Sequence, residues 1–375
     1  MAGIAVRRQG SRHLIVGIVM AAVMSACATS TASPAASPGA PAGTSAASLA
    51  PTKAPSVGSA SPSSGAIRVA GLDFDLRPIT PPIASIDIGE QSSGWGNASD
   101  GTWLWVMTDT GAVAIDPTTN SVKRRIPLPI SADGYTLDAS NGTVWISDYD
   151  EQAVYRYDAR TGQRLASIAL PYADCVAVAA GAVWACDHHE GAVVRIDTKT
   201  NTVVKTIIVG SRGSDGPGQI AAAGGSLWVV VGNDAAIVRI DPKTNSIVKT
   251  IHTYADEPLS ITVSPDQIWA VVDDGSGLAL VDPADQKPPR TTQFNGVSTA
   301  VVVDGIPWAG FLASSSDTAG ALIAIDPASG RVIDGLSIPD GSVTRPFQAF
   351  GSVWLVLGLQ GLIERYPPSA LTVKH

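Results

Sequence analysis

Four consecutive residues, Asp187-His188-His189-Glu190, set two carboxylates around two imidazoles. These groups bind divalent metals and do general acid–base work. In an extended segment neighbouring side chains point opposite ways, so only alternate members share one ion unless the segment turns. Further acids recur along the chain: Asp109, then Asp148, Asp150 and Glu151, then Asp234, Asp273, Asp274 and Asp317. Aromatics fall between them at Trp95, Tyr135, Tyr172, Tyr254, Phe294 and Phe347. Acids beside aromatic faces suit a cation, an amine or a sugar-like ligand. The candidate ligand-binding residues are therefore Trp95, Tyr135, Asp148, Asp150, Tyr172, Asp187, His188, His189, Asp234, Tyr254, Asp273 and Asp274. No cofactor or metal is assigned to them, and no catalytic residue is named.

Cys175 and Cys186 flank the pair Ala180-Gly181 symmetrically. In a two-residue hairpin such positions face each other across antiparallel strands, within disulfide reach. A free buried pair is the alternative, and two thiols alone do not complete a zinc shell. After residue 27 the chain has no Gly-x-Ser-x-Gly elbow, no Walker loop and no His-Glu-x-x-His. Gly216-Pro217-Gly218 opens a strand rather than a helix, so it is no dinucleotide fingerprint.

The elements that must hold these residues are short strands. Gln219–Thr253 reads as four apolar runs broken by Gly224-Gly225, Gly232-Asn233-Asp234 and Asp241–Asn245. The same pattern recurs around Trp105, Trp145, Trp184, Trp228, Trp269, Trp308 and Trp354, at gaps of 40, 39, 44, 41, 39 and 46 residues. A period near 40 with four strands per unit predicts propeller blades. A tight-turn pair precedes each Trp strand: Asp100-Gly101, Asn141-Gly142, Ala180-Gly181, Gly224-Gly225, Pro265-Asp266, Asp304-Gly305 and Phe350-Gly351. Third strands end in Asp116, Asp158, Asp197, Asp241, Asp282 and Asp326, where Asp and Pro favour a turn. Each Trp is expected to pack blade against blade. Arg156, Arg195 and Arg239, two places before the repeat Asp, are expected to form structural ion pairs with it.

LWVVVGNDAAIVRIDPKTNSIVKTI and AVWACDHHEGAVVRIDTKTNTVVKTIIVG resemble the YVTN-type β-propeller repeat. The resemblance runs from about Ser85 to Tyr366. It implies export, seven blades and ligand or partner binding, with no shared catalytic set. The last blade departs from it: Tyr366-Pro367-Pro368 stands where the Asp turn is expected. Ile83–Gly89 reads like a fourth strand, so Ser85–Ile88 is expected to complete blade 7 and close the ring. The fold class is thus all-β, a seven-bladed propeller over residues 68–375. Loops joining second to third strands, and crossings between blades, then share one face at the channel mouth. The Gly-rich crossing Ser211–Gly218, with Asp215, reads as a candidate flap.

Residues 1–27 read as a targeting segment. Arg7, Arg8 and Arg12 precede the apolar Leu14–Ala26, too short to span a membrane as a helix. Met24-Ser25-Ala26-Cys27 resembles a bacterial lipobox, which implies lipidation of Cys27 and a membrane-anchored, extracytoplasmic protein; an ordinary signal peptide is the alternative. Residues 28–67 are dominated by Ala, Ser, Pro, Thr and Gly, carry one charge, Lys53, and read as a disordered tether. The chain carries a net charge of −8. Loss of the signal removes three arginines and leaves 22 basic against 33 acidic residues, net −11. Such an average disfavours nucleic acid and anionic lipid as partners.

The sequence thus predicts a monomeric, lipid-anchored propeller that binds a small ligand or an envelope protein on an acidic, aromatic-lined face. A metal-assisted lyase or hydrolase using His188 or His189 is the rival. Streptogramin-type lyases are similar in blade number, but their paired histidines have no counterpart here: His252 stands alone and His375 is terminal. Quinone-dependent dehydrogenases share the Asp-x-x-Thr-Gly turn of Asp158–Gly162, but blade 2 lacks the Trp expected after it. A cell-envelope scaffold without small ligand is the third reading; it requires the crossing aromatics to be buried in packing.

Overall fold

A computed structural model describes residues 75–374, apart from 93–95, 129–134, 214–215, 254–257, 265–266, 273–276, 284–286, 294–295, 312–319 and 339–342. The signal, Cys27 and the tether fall outside the described residues. So do Trp95, Asp215, Tyr254, Asp273, Asp274, Phe294 and Asp317.

The strands form seven separate sheets, each with four antiparallel strands. Blades 1 to 6 are consecutive: Asn97–Pro127, Tyr135–Ala169, Ala173–Ile208, Pro217–His252, Pro258–Gln293 and Val297–Ile338. Blade 7 takes three strands from Val343–Tyr366 and its outer strand from Ala84–Asp87, which pairs antiparallel with Leu362–Arg365. The expected closure is thus present. Blade 6 gains a fifth, outermost strand, Arg77–Pro78, parallel to its own last strand. The Arg77 guanidinium there binds Asp334 (2.6 Å) and the carbonyl of Thr372 (2.9 Å), tying the segments around Arg77 and Thr372 to one blade.

First strands of successive blades touch and so form the inner side of the ring. Their free edges are covered by polar side chains of adjacent blades: Thr136 and Asp138 accept the amides of Val176 and Val178, and Gln219 accepts that of Ile261. Between blades lie seven apolar clusters, and each holds one repeat Trp. All seven are at most 5 % exposed. Trp354 lies with Ile86, Ile88, Leu104 and Val106, where the last blade meets the first.

The hairpin pairs are explained by their backbone. Asn141-Gly142, Ala180-Gly181, Asp304-Gly305 and Phe350-Gly351 all hold positive φ at both positions, as a type I′ turn requires. Ala180 and Phe350 adopt φ of 51° without the help of Gly or Asn.

One expectation is corrected. Arg156 and Arg195 do not pair with the Asp of their own strand. The carboxylates of Asp158, Asp197 and Asp241 accept amides of their own turns. Each Arg instead lies over its repeat Trp, 5.1–5.5 Å from the ring for Arg156, Arg195 and Arg239. Three such arginines then reach the next blade's turn, Arg156 to Asn201, Arg195 to Asn245 and Arg365 to Asn120, whereas Arg239 donates to Ser226 Oγ of its own blade. Those asparagines sit at φ 48–56°, where each ends its turn. In blades 2 and 6 the turn ends in Gly162 or Gly330, which has no side chain to receive a bond. There the preceding blade moves its Arg to the cross-strand position: Arg124 (opposite Ala114) binds Arg160 O, and Arg290 (opposite Leu280) binds Ala328 O.

Candidate functional site

Hydrogen bonds place the crossings and the second-to-third-strand loops on one face. His188 N donates to Tyr172 O (3.0 Å), Gly213 N to His189 O (3.2 Å) and Thr253 N to Ala235 O (2.7 Å). At the top of blades 2 and 3 four rings gather. Tyr172 stacks on His189 at 4.8 Å between centroids. Tyr149 lies 5.7 Å from Tyr172 and meets His188 edge-on at 6.1 Å. Tyr172 holds φ of 52°, an uncommon conformation for a residue with a bulky side chain.

Carboxylates back these rings. In blade 3 the first strand bulges between Ala173 and Val176, so two residues oppose one. A bulge re-aims side chains. Here Asp174 Oδ2 lies 3.1 Å from His188 Nδ1, which is also 3.1 Å from Pro217 O of blade 4. Both neighbours are acceptors, so Nδ1 carries the proton. His188 is 5 % exposed and joins blades 3 and 4. The Asp187-His188-His189-Glu190 segment does turn: Asp187 Oδ1 accepts the Glu190 amide (3.2 Å). Burial pushes the Asp187 carboxyl up, and the Glu190 charge adds to that push against the amide bond. Glu190 itself pairs with Arg212.

The other candidates take varied places. Asp148 is fully buried with Oδ1 on the Glu151 amide (2.9 Å), while Asp150 is exposed. Asp234 Oδ2 accepts the amide of Ser211 (2.8 Å). That bond bears on the expected flap. A Cβ on Gly210 would meet Asp234 Oδ2 at 2.6 Å, and one on Gly216 would meet His188 O at 1.8 Å. The described residues of this crossing are therefore pressed against the loops of blades 3 and 4. Phe347 packs into the contact between blades 7 and 1. Tyr135 pairs its backbone with Asp148. Sequence reasoning missed Tyr149 and Asp174. Tyr149 was readable as the neighbour of Asp148 in a loop; Asp174 was not, because alternation places no bulge.

Cys175 and Cys186 are disulfide-bonded, with Cα atoms 5.0 Å apart, buried between blades 3 and 4. Among the described residues no three His, Cys, Asp or Glu side chains are grouped to hold a metal ion.

No family model matches the chain, and no curated protein matches its sequence. Solved structures do match its shape. A chain of Kuenenia stuttgartiensis hydrazine synthase superposes with a TM-score of 0.60 at 11 % identity, covering 74 % of this chain and 96 % of that one. Virginiamycin B lyase from Staphylococcus aureus superposes with a TM-score of 0.58 at 17 % identity, covering 75 % and 97 %. At these identities the likeness carries the fold alone.

Proposed function

We propose that this is a lipid-anchored, extracytoplasmic propeller of the YVTN-repeat kind that binds a small ligand at the mouth of blades 2 and 3. One observation carries the reading: a wall of Tyr149, Tyr172 and His189 rings lies on one face with Asp174 and Asp187 beside it. Stacked rings offer flat apolar area, and carboxylates offer charge and hydrogen-bond acceptors. An amine or a sugar-like molecule uses both.

The metal-assisted lyase reading has the shape of virginiamycin B lyase on its side. Against it, His188 is engaged between Asp174 and Pro217, and the described residues offer a pair where a metal needs a trio. The scaffold reading finds support at Phe347, which packs between blades, but not at half-buried Tyr172 and exposed His189.

The test is a thermal-shift screen of residues 28–375 with amines, sugars and divalent metals. A shift from an amine or sugar that disappears in Tyr172→Ala and Tyr149→Ala supports the reading. A shift from metals alone, abolished by chelator, favours the lyase. No shift from any class removes small-ligand binding.

A further inference from the structure

The outer rim of blades 2 to 4 has a character opposite to that of the whole chain. Eight large aliphatic side chains are exposed among the described residues, and six lie on this rim: Leu165, Val203, Val204, Ile208, Ile247 and Val248. Between them stand the exposed cations Arg164, Lys199, Lys205 and Lys243. No acid occurs in 159–169, 198–208 or 242–252. The nearest acids, Asp158, Asp197 and Asp241, accept amides of their own turns. The chain as a whole is net −8. Cations and aliphatics are thus gathered on one side of a molecule whose acids crowd another.

The backbone narrows what can sit there. Leu165, Val204 and Val248 are each the extra residue of a bulge, at the same place in three successive outer strands. Bulges at an edge interrupt the ladder and discourage pairing with a foreign strand. A second copy docking through the same rim would set lysine against lysine. An occupant that needs no strand register, carries negative charge and admits aliphatic side chains is an anionic lipid surface.

We infer that the outer rim of blades 2 to 4 docks on a bilayer containing anionic phospholipid, with blade 3 at the centre of contact. The aliphatics enter the headgroup layer and the lysines meet lipid phosphates. The net charge argues against such a partner only if charge is spread evenly, and here it is segregated. The mouth of blades 2 and 3 takes no part, so this inference does not depend on ligand binding there. The contact is also distinct from an N-terminal lipid. Arg77–Pro78 lies beside the outer strand of blade 6, on the other side of the ring.

Co-sedimentation of residues 28–375 tests it; this form keeps every described contact. The vesicles are phosphatidylcholine alone, or with about one-third phosphatidylglycerol. Binding to the anionic vesicles only, weakened by high salt, is expected. Val204→Ser/Val248→Ser and Lys205→Gln/Lys243→Gln should each lower partition roughly tenfold or more. Should a variant misfold, hydrogen exchange on the unaltered chain decides: vesicles should protect 163–169, 202–208 and 246–252 selectively. No partition, or partition that neither variant pair nor exchange ties to the rim, overturns the inference. Saturable binding of a polyglutamate peptide without vesicle binding overturns it in favour of an acidic protein partner.

Discussion

Arg365 of the last blade donates to Asn120 of the first at 3.1 Å while its guanidinium lies over Trp354. The bond crosses the point where the ring closes. It repeats there the clasp that Arg156 and Arg195 make between consecutive blades. Arg365→Ala should therefore destabilise the fold by about 2 kcal/mol, the value of a charge-assisted hydrogen bond with some ring stacking. Arg365→Lys should recover only a fraction, because an ammonium cannot cover the indole and reach two acceptors together. Urea unfolding of the three proteins measures this.

The disulfide closes a short loop, with Cys175 and Cys186 separated by 11 residues. Loop entropy gives it about 3 kcal/mol. Cys175→Ser/Cys186→Ser should lower the unfolding free energy by that order, and reductant should do nothing further to the variant. Unfolding with and without dithiothreitol checks both.

Asp138 bridges the first strands of blades 2 and 3, accepting Val178 N at 2.6 Å and Ala139 N at 2.7 Å. Burial raises its carboxyl to about 6, against the pull of those two amides. The folded state thus holds a proton that the unfolded chain releases near 3.8. This group's contribution to stability falls as pH rises from about 4 to about 6. Asp138→Asn should lose most, relative to the parent, at low pH, and the gap should narrow towards pH 7. Melting temperatures of both proteins across that range decide the sign.

The turn aspartates run the other way. Amides of Thr118 and of Lys243 hold Asp116 and Asp241 below the usual carboxylate range, and bonds from Thr161 do so for Asp158. Their stabilisation is present above pH 4 and is lost as pH falls through the lowered values. Acid unfolding of Asp116→Asn should accordingly be shallower than that of the parent below pH 4.

Gly216 faces His188 O, where a Cβ would lie at 1.8 Å. Gly216→Ala must shift the crossing or the His188 backbone, costing about 1–3 kcal/mol. Ligand response at blades 2 and 3 should weaken more than stability does. Calorimetry beside a thermal-shift titration separates the two effects.

Much of this was legible in the chain. The repeating Trp, the turn pairs and the Asp-ended strands specify seven sheets, because alternation and turn chemistry are local. The hairpin symmetry of Cys175 and Cys186 put the two within disulfide reach for the same reason, and the structure joins them. Ile83–Gly89 resembled an outer strand, and its place beside Leu362–Tyr366 followed from the gap left in blade 7.

What the sequence alone determined, then, is the blade and the number of blades, since every blade but the last is built from neighbours in the chain. What only the tertiary structure decided lies between blades. It paired Arg156 and Arg195 with the next turn's Asn rather than with their own Asp, and aimed Asp174 at His188 through a bulge. It also laid Gly210 and Gly216 against the loops of blades 3 and 4, which the sequence left open above them. Those contacts join residues about 14 to 250 positions apart. Their choice depends on how sheets twist and stack, which no local pattern records.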